Sequence, residues 1–144
     1  ENATPELLEQ FRSNTLAIID EELKRIGFKN IDEITDEEGF RHVKKGSSPG
    51  KVGMIIDSGH PLYIVEAEVM TLPSDKDLIL PLMRELLEFN HHIPGEQRFG
   101  IENEKVTLKA VVPGRFIRKG DIARIFHSVM FMADEFDDKL QQLW

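Results

Sequence analysis

The sequence predicts an α+β domain in which a five-stranded antiparallel sheet is backed by three helices, in the order α-β-β-β-α-β-β-α. Three segments carry apolar residues at helical spacing, and the segments between them alternate apolar and polar residues. Short runs rich in Gly, Pro, Ser and Asn separate the segments. Since helices and strands do not alternate along the chain, helices on one face of an antiparallel sheet are favoured over a parallel sheet.

The composition predicts one soluble domain over residues 1–144, because 40% of the residues are hydrophobic and 31% are charged. A net charge of −8 repels nucleic acid and anionic lipid, so neither is expected as a partner. No apolar run approaches the roughly 18 residues of a membrane span. The absence of cysteine excludes disulfides and thiolate metal sites, and it suits a reducing compartment.

The first helix is predicted to begin after Thr4 and to end at Gly27. Thr4 is a favourable N-cap, and Pro5 suits the first helical position. Apolar residues from Leu7 to Ile26 recur at three-and-four spacing, which gives the helix one apolar face. Glycine is a typical residue just beyond a helix end.

Three strands are predicted next. Weak alternation over 40–45 is followed by "GSSPG" at 46–50, which is predicted to be a loop, and then by a strand that carries apolar residues at period two. The third strand is "PLYIVEAEVM" at 61–70, which is rich in residues that favour strands. One face of it carries Tyr63, Val65, Ala67 and Val69.

The second helix is predicted from about Asp77 to His91. Pro81 must lie in its first turn or kink it, because a proline farther in removes a backbone hydrogen bond. His91 and His92 suggest a metal site, but adjacent helical residues point about 100° apart. We favour a helix terminus, where histidine interacts well with the helix dipole.

A second hairpin and a last helix complete the predicted order. Residues 99–101 and 106–112 alternate on either side of "NE", and this pattern indicates two antiparallel strands joined by a tight turn. Asp121 is predicted to cap the last helix. Its apolar stripe runs from Ile122 to Leu143.

Glu66 and Glu68 lie on one face of the third predicted strand. Paired carboxylates suit general acid–base chemistry or a hard cation, so a metal-dependent hydrolase using them with nearby histidines is an alternative function. A solvated strip that keeps the sheet face soluble is the favoured interpretation, because charged residues are mostly exposed. We therefore assign no catalytic residue, no metal ligand and no cofactor.

Two groups of apolar residues exceed what one core requires. Leu62, Ile64 and Met70 are predicted on the sheet face opposite Val65, and the last helix carries three neighbours, Met130, Phe131 and Met132. Extra core contact is one explanation. A peptide-binding or dimer surface is the other, since exposed apolar patches usually mark interaction and methionine packs adaptably.

The second half of the chain resembles the YbjN-like family of the type III secretion chaperone-like superfamily. The resemblance covers about residues 86–140. It rests on Leu86, Leu87, Asn90, the run "RFGI" at 98–101, Val106, Leu108, Pro113, Ala133, Asp134 and Leu140.

This resemblance implies a small non-enzymatic protein of the bacterial cytoplasm that is often dimeric and holds peptide segments of client proteins or acts as a regulator. It also implies that Asn90 bonds backbone groups at the helix end, that Gly100 permits close approach within the hairpin, and that Arg98 is a surface or interface residue. We therefore expect a chaperone-like, peptide-binding homodimer. A structural or regulatory dimer with no peptide client is the other non-enzymatic alternative.

Overall fold

The computed structural model describes residues 4–45 and 48–141, and of Lys45, Phe116 and Gln141 it describes the backbone alone. The elements, in chain order, are α1 (Pro5–Arg25), α2 (Ile31–Ile34), β1 (Arg41–Lys45), β2 (Ser48–Asp57), β3 (His60–Thr71), α3 (Lys76–His92), β4 (Gln97–Glu102), β5 (Lys105–Pro113), a 3-10 turn (Gly114–Phe116) and α4 (Lys119–Gln141). The predicted order is confirmed, with the one-turn helix α2 added to it.

The five strands form one antiparallel sheet in the order β1-β2-β3-β5-β4. Helices α1 and α4 pack on one face of it, and α3 packs beside β4. Their shared core is formed by buried side chains from both layers, including Ile19, Leu23, Val52, Met54, Tyr63, Val65, Leu82, Leu108, Ile125 and Val129. The predicted α+β architecture is therefore confirmed.

The start of α1 follows the prediction. The Thr4 hydroxyl accepts a hydrogen bond from the backbone N–H of Leu7 at 3.2 Å, which satisfies one of the free donors of the first turn. Gly27, just past the helix, has φ +115°, a conformation that glycine adopts without strain.

The β2–β3 and β4–β5 hairpins close through two-residue turns. Ser58 and Gly59 join β2 to β3, and Asn103 and Glu104 join β4 to β5, all four with positive φ. This geometry matches the twist of the paired strands, and the turn at "NE" is where the sequence predicts it.

The predicted loop over 46–50 is too long. Residues 48–50 belong to β2, where Gly50 pairs with Ala67 of β3 and Pro49 with Lys44 of β1. Ser, Pro and Gly have low strand propensity, but pairing with β1, and for Gly50 also with β3, outweighs it. Residues 46 and 47 lie outside the described part of the chain.

Helix α3 begins at Lys76, in agreement with the predicted start at about Asp77, and Pro81 lies beyond its first turn, inside the helix and exposed to solvent. Helix α4 begins earlier than predicted, at Lys119, and the Asp121 carboxylate accepts a hydrogen bond from the backbone N–H of Arg118 at 3.1 Å. Asp121 therefore stabilises the first turn from within it. Leu143 lies outside the described residues.

Candidate protein-binding surfaces

The sheet face opposite α1 and α4, here called the open face, has an apolar end. Residues directly opposite each other on antiparallel strands share a face, so the strand register places these side chains together. The apolar end consists of Ile55, Leu62, Ile64, Val111 and Pro113. Val111 is 44% exposed, and Ile55 and Leu62 are half-buried.

Phe40 covers part of this apolar end. A Cβ atom added to Gly53 would lie only 2.8 Å from the Phe40 ring, so the ring rests directly on that glycine. Ile64 is the β3 neighbour of Gly53, and both Ile64 and Phe40 are buried. Val111 lies on the other side of Ile64 and stays uncovered.

A hydrogen-bonded loop holds Phe40 in place. The Asp36 carboxylate accepts bonds from the backbone N–H groups of Phe40 and Glu38, at 3.0 and 2.9 Å. Its other oxygen lies 2.7 Å from the His42 ring nitrogen. Desolvation raises the pKa of Asp36, but the bonds from His42, Phe40 and Glu38 outweigh it and hold that pKa below its usual value.

The rest of the open face is charged. One row crosses all five strands and contains His42, Lys51, Glu66, Lys109 and Arg98. Lys51 lies 3.8 Å from Glu66, and Lys105 lies 3.2 Å from Glu68. Both carboxylates therefore face lysines on neighbouring strands.

Glu66 and Glu68 share the open face, as predicted, and His42 lines the same cavity, but its ring is bound to Asp36 and the other histidines described below lie elsewhere. His91 and His92 lie in the last turn of α3, with their rings 4.9 Å apart and exposed, as expected for a helix terminus. His60 lies at the β2–β3 turn. Within residues 4–45 and 48–141, no three His, Asp or Glu side chains form a metal-binding group.

Met70 does not share a face with Leu62 and Ile64. A β-bulge between Glu68 and Met70 shifts the register, so that Met70 lies opposite Val106, a core residue. An extra residue in a strand turns the following side chains to the other face. Met70 packs half-buried against the core, and the predicted grouping of three residues is reduced to two.

The three neighbours on α4 divide between the core and the surface. Met130 is fully buried, with its sulfur next to Gly50 of β2. For this residue, extra core contact is therefore the explanation. Met132 is half-buried, and its sulfur accepts a hydrogen bond from Gln97 at 3.6 Å. Phe131 is 67% exposed and is the member of this group available to a partner.

A further apolar surface lies on α3. Leu82 and Leu86 are buried, whereas Leu80 is 77% and Leu87 is 70% exposed. We call the surface formed by Leu80, Met83, Leu87 and His91 the α3 strip. The signal was present in the sequence, because α3 carries more apolar residues than one buried face needs.

Asn90 covers the outer edge of β4. Its side-chain amide donates to the Phe99 carbonyl at 3.1 Å, and its carbonyl accepts from the Phe99 N–H at 2.7 Å. The bonds are thus made to the strand rather than to the helix end, which corrects the expected role. Gly100 also differs from expectation, because a Cβ there would meet only Thr107, at 3.9 Å.

Three solved structures share this arrangement of helices and strands. A chain in the crystal structure of the ExsC–ExsE complex matches with a TM-score of 0.69 at 19% identity, covering 90% of this chain and 95% of that chain. This protein has the fold of the type III secretion chaperones. The Yersinia pestis type III secretion chaperone SycH in complex with a stable fragment of YscM2 gives 0.56 at 15% identity, with 85% and 96% covered.

The third structure is the heterodimeric ExoU–SpcU complex from the type III secretion system of Pseudomonas aeruginosa, with a TM-score of 0.53 at 16% identity and 85% and 96% covered. No protein-family model and no curated protein matches the chain. Among the described helices, none combines the length and the apolar character needed to cross a membrane.

Proposed function

We propose that this protein is a non-enzymatic, chaperone-like module that binds an apolar segment of another protein and acts as a homodimer in the bacterial cytoplasm. The observation that carries the proposal is the match along most of the chain to three structures, each of which is a complex of two proteins. The YbjN-like family is the branch of this fold to which we assign it, and a regulatory role is compatible with binding.

The client surface we propose is the apolar end of the open face. Val111 is exposed beside Leu62 and Ile64, and apolar side chains of a client would gain stability by burial there. Ile64 is covered by Phe40, so it forms the base of this surface and not its exposed part. The outer edge of β1 beyond Arg41, which forms a bridge with Thr35, offers strand pairing in addition, whereas Asn90 occupies the edge of β4.

Replacement of Val111 by glutamate tests this surface. We expect at least about a tenfold loss of affinity for a fluorescein-labelled peptide of alternating Val and Thr, measured by anisotropy, because the variant buries a charge at the contact. Leu7→Glu is the matched control, since Leu7 is exposed on α1, far along the chain from this face. Unchanged affinity of the Val111 variant would place the client elsewhere.

The α3 strip is the surface we propose for the homodimer. Leu80 and Leu87 lie two turns apart on one side of the helix, and a two-fold axis would bring the same strip of a second copy against them. Arg84 and Glu88, paired at 3.1 Å beside the strip, could exchange partners across such an axis. Exposed apolar side chains such as these leucines are common in homodimer interfaces.

Light scattering tests the dimer. We expect a dimer for the wild-type protein and a monomer for the Leu80→Glu, Leu87→Glu double variant, since four carboxylates would meet at the contact. Phe131→Glu is the matched control, because Phe131 is the exposed apolar residue of α4. Dissociation by the Phe131 variant alone would move the interface to α4, and a monomeric wild type would remove the dimer from the proposal.

A further inference from the structure

Two cations on the open face have no carboxylate partner. Lys109 and Arg98 are directly opposite each other on β5 and β4, and within the described ranges neither forms an ion pair within 4.0 Å. Arg98 donates from one nitrogen to the carbonyl oxygens of Gly95 and Gln97, at 2.8 and 2.6 Å, which leaves its other donors available. Uncompensated cations in a chain of net charge −8 favour an acidic ligand at this place.

A shallow groove of about 410 Å³ lies over these two strands. Arg98, Lys109 and Val111 line it, and Gly100 leaves room on its floor, because a Cβ atom there would meet only Thr107, at 3.9 Å. The groove therefore offers a cationic part beside an apolar part.

Three acidic residues border the groove, Glu66, Glu96 and Glu102. Glu66 faces Lys109 in the strand register, but it is mostly buried and lies 3.8 Å from Lys51. Glu96 lies 3.6 Å from Arg124 of α4, and Glu102 is four positions from Arg98 along β4, about 13 Å away. Because no described carboxylate lies within 4.0 Å of Lys109 or Arg98, the two cations keep an attraction for an external anion.

The spacing of the groove matches an extended peptide. Val111 and Lys109 are two positions apart on β5 and so lie on the same face, separated by about 7 Å. In an extended peptide, residues two positions apart also share a face with this separation. A segment with an acidic residue two positions from an apolar residue would place one side chain against each part of the groove.

We infer that the open face over β4 and β5 binds an extended client segment that carries a carboxylate two positions from an apolar residue. The carboxylate pairs with Lys109 and Arg98, and the apolar side chain covers Val111. This inference rests on the proposed function and deepens it by giving the chemical character of the client.

Two fluorescein-labelled peptides test it with the full chain, one repeating Val-Thr-Glu-Thr and one repeating Val-Thr-Gln-Thr, so that Val and Glu, or Val and Gln, are two positions apart and share a face. We expect the Glu peptide to bind about tenfold tighter at low ionic strength, and the preference to shrink in high salt, because exposed charge pairs are screened. The Lys109→Glu, Arg98→Glu double variant should lose the preference. Lys29→Glu, an exposed change outside the sheet, should keep it.

The other possible outcomes each contradict either the inference or the proposed function. Equal affinity for both peptides contradicts the acidic preference and leaves the proposed function intact, whereas failure of both peptides to bind contradicts the proposed function itself. Retention of the preference by the double variant places the anion elsewhere. Conversion of the double variant to a monomer in light scattering would show that a second copy of the chain occupies the groove, which also overturns the inference.

Discussion

The two faces of the sheet are made by the same strands but have different contents. On β5, Val106, Leu108 and Ala110 are fully buried under the helices, while Lys109 and Val111 between and beyond them are exposed on the open face. Along β5 the covered face is continuously apolar. The open face is apolar at one end and charged at the other. Solubility alone does not require the apolar end.

This difference separates what holds the fold together from what remains for a partner. The side chains under α1 and α4 stabilise the fold, because they bury apolar area and fill the interior. Their loss should therefore lower stability. On the open face Phe40 covers Ile64, and Val111 stays exposed. We therefore expect substitutions on the first face to change stability and substitutions on the second to change binding.

Two valines on β5 give the largest expected contrast. Val106→Ala deletes fully buried methyl groups and leaves a cavity, whereas Val111→Ala deletes partly exposed ones, and the loss of strand propensity is similar in both. Urea unfolding should give a free energy of unfolding about 2 kcal/mol lower for Val106→Ala than for Val111→Ala. Equal losses would show that the open face is covered as firmly as the other.

Two glycines on β2 give the next contrast. A Cβ at Gly50 would lie 2.8 Å from both the Glu66 carbonyl oxygen and the Met130 sulfur, under the helices, and one at Gly53 would lie 2.8 Å from the Phe40 ring. Gly50→Ala should lower the free energy of unfolding by about 1 to 2 kcal/mol, because a backbone atom must move.

Gly53→Ala should cost less and should act on the open face, since the Phe40 ring can move aside and uncover Ile64. Binding of an apolar peptide to Gly53→Ala, measured by anisotropy, should therefore change while its unfolding midpoint changes little. A larger loss of stability for Gly53→Ala than for Gly50→Ala would mean that Phe40 belongs to the main core.

The element order and the covered face could be predicted from the sequence because both follow from local periodicity. Ala67 alternates with Glu66 and Glu68, and Asn103 suits the positive φ of the turn, although Glu104 at its second position does not. The bulge at Met70 has no such signal. The bulge moves Met70 to the covered face, and this change is visible only in the pairing of Met70 with Val106.

The candidate surfaces were only partly predictable for a related reason. The apolar surplus of α3 and α4 is visible in the sequence, but the residues that face outward depend on the helix orientation, which the core fixes. Leu87 and Phe131 are exposed, while Met130 is enclosed against Gly50. The unpaired cations Lys109 and Arg98 required the register of β5 with β4.

Tyr63 tests how dry the covered face is. Its hydroxyl donates to the Ile122 carbonyl at 2.9 Å, and burial raises the pKa of this phenol above its usual value. Tyr63→Phe should lower the free energy of unfolding by about 1 kcal/mol at neutral pH.

The same residue predicts an alkaline effect with a defined sign. Because the folded pKa is raised, the neutral phenol contributes its full stability below about pH 10, and this is lost as the pH rises further. Tyr63 is the only tyrosine, so tyrosinate absorbance should appear only with unfolding. Ionisation of folded protein near pH 10 would mean that water reaches this face.

The smallest expected effect is on the open face, at the loop that positions Phe40. The pKa of Asp36 lies below its usual value of 3.8, so its carboxylate contributes stability above about pH 4 that is lost as the pH falls through the lowered value. Asp36→Asn keeps an oxygen that can accept the bonds from the Phe40 and Glu38 N–H groups, and it removes the charge that attracts His42.

The difference in unfolding free energy between wild type and Asp36→Asn should therefore be present at about pH 6 and should be smaller at about pH 3, with a small size because the pair is exposed. Urea unfolding at both pH values measures it, and Asp32→Asn, an exposed change in α2, is the control. A difference that grew on acidification would require the opposite shift. Since Asp36 holds Phe40 over Gly53, loss of this charge should also loosen the cover of Ile64, so acidification should alter peptide binding before it unfolds the core.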